Sequence, residues 1–134
     1  TKEIEDNEFG YDLVDGKYTL PKDVEVFEIT GPLFFGAAYK FKDAMKYIKQ
    51  HPKVLIIRMR HVPIIDATGI QTLKEVVHES AKHHTKLILS ELNSEQVRKE
   101  LQDSRLLFAV GKANVTVTFE NALARAEVIL ADGK

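Results

Sequence analysis

The spacing of apolar positions along this chain changes several times, and each change marks a new element. Val24, Val26, Phe27 and Ile29 form a β-rich run that stops at Thr30-Gly31-Pro32, where glycine permits a sharp turn and proline fixes its own φ. Phe34, Ala37, Ala38, Phe41, Ala44, Met45 and Ile48 then recur at helical spacing. His51-Pro52 ends that helix, because proline disfavours helical backbone in the residue before it. Residues 54–59 are a nearly unbroken apolar run, as expected of a central strand covered on both faces. Ile70, Leu73, Val76, Val77 and Ala81 set out a second amphipathic helix, and residues 87–89 a further buried strand. Asn93 or Ser94 can cap a third helix through Val97 and Leu101, and residues 115–118 make a short strand before a last helix over 119–130. Upstream, residues 11–14 and 17–20 flank Asp15-Gly16 as a short hairpin, and the polar residues 1–8 read as a linker or disordered leader to a single domain over 9–134.

The resulting order is ββαβαβαβα. Strands separated by single helices need right-handed crossovers, so the fold class is α/β, with a mixed, largely parallel β-sheet and four helices. In such sheets the loops after the strands gather at one edge, where ligands and partners bind. The loops 30–35, 60–69 and 90–94 should meet there. One of them carries VPIIDATGIQ, an apolar run that breaks at Asp66-Ala67-Thr68-Gly69 before the second helix. Asp66 and Thr68 both offer a short oxygen to the free N–H groups of that helix start, and Thr68 with Gln71 can form a capping box. A hydroxyl in this place is also a phosphate acceptor, since an added phosphate gains from the helix dipole and places about two negative charges on any surface that docks there.

Composition narrows the chemistry. A chain of 134 residues with 44% hydrophobic and 29% charged residues is one ordinary globular domain, and its net charge of −1 gives no argument for nucleic-acid binding. With no cysteine there is no disulfide framework, thiol catalysis or thiolate metal site. No run of about 18 apolar residues is present to span a bilayer, and the start, TKEIEDNEFG, is too acidic to act as a signal peptide. There is no P-loop, dinucleotide fingerprint or nucleophile elbow, and Asp66 and Thr68 lack a histidine to activate a hydroxyl, so no enzyme and no cofactor is expected. His78, His83 and His84 stand five and six residues apart, which does not align ligands on one helix face, so no metal is assigned. His51 and His61 read as solvated loop histidines. Lys53, Arg58 and Arg60 flank the central strand as a solvated rim, or as a weak site for an anion or nucleotide near the loop edge.

A strand ending in an apolar pair, then Asp-Ala-Thr-Gly-Ile and an amphipathic helix, resembles the signature of STAS domains. That family comprises bacterial anti-anti-sigma factors and the cytoplasmic carboxyl-terminal domain of SulP-type sulfate and anion transporters. The turn Gly31-Pro32-Leu33-Phe34-Phe35-Gly36-Ala37-Ala38 resembles the transporter branch, where the anti-anti-sigma group has an acidic turn. In that second group a phosphorylated serine directly follows the motif aspartate, and the position is Ala67 here, with Thr68 its neighbour. The likeness runs over residues 20–130, although Ser104-Arg105 departs from the family's frequent Ser-Gly.

The resemblance implies the regulatory, protein-interaction domain of a sulfate permease at the inner (plasma) membrane. Such a domain supports transport, folding or trafficking without moving the anion itself. Its partners would be the membrane domain of the same transporter or another cytoplasmic protein. Pro32, Leu33, Phe34, Phe35, Asp66, Ala67, Thr68 and Gly69 would form the docking and regulatory surface, with Thr68 the candidate phosphoacceptor. The alternative is a stand-alone anti-sigma factor antagonist switched by phosphorylation near the same corner.

Overall fold

The computed structural model describes residues 19–46 and 51–133. The expected leader, the hairpin's first strand and turn, and Ile48 lie outside them. Of the hairpin's second strand only Thr19 and Leu20 are described, and both are irregular backbone. Leu20 packs beneath the last helix, ahead of a turn in which Val24 N–H donates to Pro21 O.

The described elements are β1 (Val24–Thr30), α1 (Phe35–Met45), β2 (Val54–His61), α2 (Ala67–Lys82), β3 (Lys86–Ser90), α3 (Glu95–Asp103), α4 (Leu106–Val110), a 3-10 turn (Lys112–Asn114), β4 (Val115–Thr116) and α5 (Phe119–Asp132). The four strands lie in the order β1-β2-β3-β4, and every pairing among them is parallel. Each strand therefore follows its neighbour after a helical crossover, as the sequence order requires. The mixed character had rested on the amino-terminal hairpin.

Strand alternation divides the core into two layers. Leu55, Ile57, Met59, Leu87 and Leu89 pack against Phe41 of α1, Leu73 and Val76 of α2, Val97 and Leu101 of α3, and Leu106 and Val110 of α4. Val24, Val26, Val54, Ile56 and Ile88 face Phe119, Ala122 and Ala126 of α5. β2 is covered on both faces, which is why its sequence shows no alternation.

α4 is absent from the sequence-based order. Its five residues are too few to display a helical period, and the left-handed Arg105 (φ 70°) turns the chain sharply away from α3 just before it. β4 ends two residues earlier than expected, and α5 runs two residues longer.

Candidate functional site

The loops after β1, β2 and β3 meet at the carboxyl edge of the sheet and are joined backbone to backbone. Gly31 N–H donates to His61 O at 2.8 Å, Leu33 N–H to Ile64 O at 2.9 Å and Asp66 N–H to Leu33 O at 3.4 Å, so Leu33 and Ile65 form an isolated parallel bridge beyond the strands. Gly31 makes this return at φ +91°, a conformation that favours glycine. The start of α3 clamps the second loop: Gln96 accepts from Ile65 N–H through Oε1 and donates to Ile65 O through Nε2, both at 3.0 Å. Ser94 Oγ donates to Pro63 O at 2.8 Å while accepting from Val97 N–H as the N-cap of α3. These contacts turn three loops into one surface of fixed shape.

The motif corner is built on the same bonds. Asp66 is the N-cap of α2, its Oδ1 accepting from Gly69 N–H at 2.9 Å. Thr68 lies inside the first turn, not at the cap, and Gln71 Nε2 turns away to Glu75, so the capping-box expectation is corrected: the extended backbone at Asp66 puts the N-cap two residues before Thr68. Gly69 is buried, and a Cβ there would stand 2.3 Å from Leu33 O and 2.7 Å from Ile65 Cγ1. Only a residue without a side chain lets the α2 start approach the first loop this closely.

The expected docking residues divide into an inner and an outer set. Leu33 is fully buried and Gly69 is buried, so both shape the surface from below, and the expectation that Leu33 is one of the exposed apolar contacts is corrected. Pro32, Asp66 and Ala67 are exposed and Thr68 is half-buried. Phe34 is 42% exposed and Phe35 72%. Phe34 occupies the N-cap of α1 and supplies no side-chain hydrogen bond to it, so its ring does nothing for the helix start. Pro63 and Ile64 are exposed beside them, and sequence reasoning missed both. Nothing local marks them, because it is the Leu33–Ile65 bridge that turns Ile65 inward and leaves Ile64 out.

Beneath the edge lie two charge pairs. Arg58 donates to Glu91 Oε2 and Oε1 through Nε and Nη2, each at 2.8 Å, with Ser90 Oγ donating to the same carboxylate at 2.9 Å and the guanidinium carbon 4.0 Å from the centre of the Phe119 ring. Arg60 holds the buried Glu28 at 3.0 and 3.3 Å, and His61 Nε2 lies 3.6 Å from the same carboxylate. Arg58, Glu91 and Glu28 are buried, and charges so far from water persist only when paired this way. The expectation of a solvated rim is therefore corrected at Arg58, while Arg60 is half-buried with its charge matched by Glu28. Lys53 stands at the opposite end of β2. Among the described residues, no group of three metal-ligating side chains is present, and no helix is long and apolar enough to cross a membrane.

The geometry has counterparts of known kind. A family model for the STAS domain matches residues 18–126. A crystal structure of a sulfate transporter family protein from Wolinella succinogenes is 38% identical, with a TM-score of 0.80 over 86% of this chain and 93% of that one. The STAS domain of a SulP transporter from Vibrio cholerae is 34% identical, with a TM-score of 0.70 over 91% of this chain and 94% of that one. A Bacillus subtilis (strain 168) protein named as a sulfate transporter, YvdB, is 29% identical over 90 residues. That match takes in 66% of this chain but spans only 17% of the transporter's length.

Proposed function

The chain belongs to the STAS domain family and is homologous to the STAS domains of SulP sulfate transporters, and on that premise we propose that it is the cytoplasmic docking and regulatory domain of a SulP-type anion permease at the inner (plasma) membrane. The observation that carries this reading is the exposed apolar group Pro32, Phe34, Phe35 and Ile64, held on loops too firmly bonded to fold it inward. Exposed rings on a rigid support are what a protein interface uses as anchors. The 17% share of the YvdB transporter leaves ample chain for a membrane domain, the partner this surface would meet. Translocation of the anion belongs to that partner. No catalytic role is assigned, because Asp66 spends its carboxylate on the helix cap and the nearby arginines are matched by Glu91 and Glu28.

The test is sulfate uptake by the full-length permease carrying Phe35→Asp, alongside the melting temperature of the 134-residue chain with the same change. Uptake or surface delivery should fall at least roughly tenfold while melting moves by no more than a few degrees, because Phe35 is not part of the core. Normal uptake and delivery would refute the docking role. Asp66→Lys probes the same surface by charge and should impair partner binding or transport more than folding.

One observation favours a second reading. The Thr68 hydroxyl makes no hydrogen bond among the described residues and sits in the first turn of α2, where a phosphate would be stabilised by the helix dipole. A stand-alone antagonist of an anti-sigma factor would use it so. Mass spectrometry of the native protein decides between the two: phosphate on Thr68 of a small soluble species supports this reading, and an unmodified Thr68 in a membrane species rejects it.

A further inference from the structure

At the opposite end of the sheet, away from the docking edge, the strands begin beside a cleft of about 590 Å³. We propose that this cleft binds a soluble phosphate-bearing polyanion of the pyrophosphate class. The reading is independent of the docking surface.

Three parts of the fold bring cations together here. Lys86 N–H donates to Lys53 O at 2.9 Å, which sets Lys53 and Lys86 at the starts of adjacent parallel strands. α2 ends at Lys82, and His83 and the left-handed His84 (φ 61°) then lead the chain into β3. α5 lines the far wall with Arg125, Ile129 and Asp132. Thr85 Oγ1 donates to Pro52 O at 2.6 Å and fixes the loop before β2 against that before β3. The side chains of Lys53, Lys86 and His84 are exposed and make no hydrogen bond or ion pair among the described residues.

The charge balance of the cleft favours an anion. Lys53, Lys86 and Arg125 face one carboxylate, Asp132, together with the negative ends of α2 and α5. Arg125 also donates to Asn114 Oδ1, and Glu79 sits behind the cleft, 3.4 Å from His83 Nε2 and 3.6 Å from Lys82 Nζ. Each helix end contributes about half a negative charge, so about one positive charge is left over for a ligand. His51, His83 and His84 line the same cleft, and an imidazole N–H can donate to a phosphate oxygen. The rings of His51 and His83 are stacked with centroids 3.6 Å apart and planes 8° from parallel, which gives the wall on that side a flat face.

The experiment is calorimetric titration of sodium pyrophosphate into the 134-residue chain at one fixed pH and ionic strength. Pyrophosphate should bind, and Lys53→Gln/Lys86→Gln should weaken that binding at least roughly tenfold, as loss of two charged contacts requires. Lys40→Gln/Lys112→Gln, which removes the same charge from exposed positions elsewhere, should leave it unchanged. An equal loss in the Lys40/Lys112 control, or no binding, would overturn the proposal. Sedimentation with phosphatidylglycerol–phosphatidylcholine vesicles separates the source of the phosphate. Absence of capture supports a soluble polyanion, whereas vesicle capture that pyrophosphate cannot displace would overturn it in favour of a lipid surface.

Discussion

Replacing Gly69 by alanine should destabilise the fold by about 2 kcal/mol, and the geometry gives both the sign and the size. The added Cβ would stand 2.3 Å from Leu33 O and 2.7 Å from Ile65 Cγ1. Carbon–oxygen contacts settle at about 3.3 Å and carbon–carbon contacts at about 3.5 Å or more, so each neighbour must retreat by about 1 Å. Neither is free to do so, because Leu33 is tied through its N–H to Ile64 O and Ile65 is held at both backbone groups by Gln96. Overpacking against backbone of this kind costs about 3 kcal/mol at the upper end of its range, and the better helix propensity of alanine returns about 1 kcal/mol. Gly36 supplies the control: it lies in the first turn of α1 with nothing within 4 Å of a built Cβ, so Gly36→Ala should be neutral or stabilise by up to about 1 kcal/mol. Urea unfolding followed by circular dichroism measures both, provided the slope with denaturant is unchanged. If Gly69→Ala matched Gly36→Ala in sign, the edge would be yielding and the argument for a rigid docking surface would fail.

Asp66→Ala should lose about 1 kcal/mol through the missing cap and Thr68→Ala no more than about 0.5 kcal/mol, so equal losses in urea unfolding would reassign the cap. Arg58→Met should cost about 3–5 kcal/mol by orphaning a buried carboxylate, and adding Glu91→Gln should recover part of that loss; strictly additive effects would contradict the pairing. Lys42 Nζ lies 2.6 Å from Glu75 and its hydrogen bond, with a smaller contribution from Gln71, holds that carboxyl below the ordinary glutamate value. A carboxyl lowered in the folded state stabilises above its unfolded pKa, and that contribution fades as pH falls through the lowered value. Lys42→Ala should raise the Glu75 midpoint in a carbon NMR titration, and an unmoved midpoint would deny the interaction.

What could be read from the sequence was whatever is local. The apolar run of β2, the helical spacing of Leu73 and Val76, and the capping serine before Val97 each depend on neighbours a few residues away, and each element stands where that pattern puts it. The edge where the loops meet followed from the order of strands and helices. Contacts that join distant segments were not legible. Arg58 finds Glu91 33 residues on, Arg60 reaches back 32 residues to Glu28, and Gln96 clamps Ile65 across 31. A charged residue in a strand gives no local sign of its partner, so a solvated rim was the natural expectation. Leu33 was misplaced for the same reason: that it faces inward is fixed by its bridge to Ile65 in the next loop, which neither loop reveals alone.

The most direct test of the central claim is to fractionate native cells and detect this domain with a specific antibody, reading size and compartment together. A STAS domain docked in a SulP-type permease predicts a single large band that stays with the membrane through alkaline washing. A small soluble band would contradict it and place the domain among free regulators.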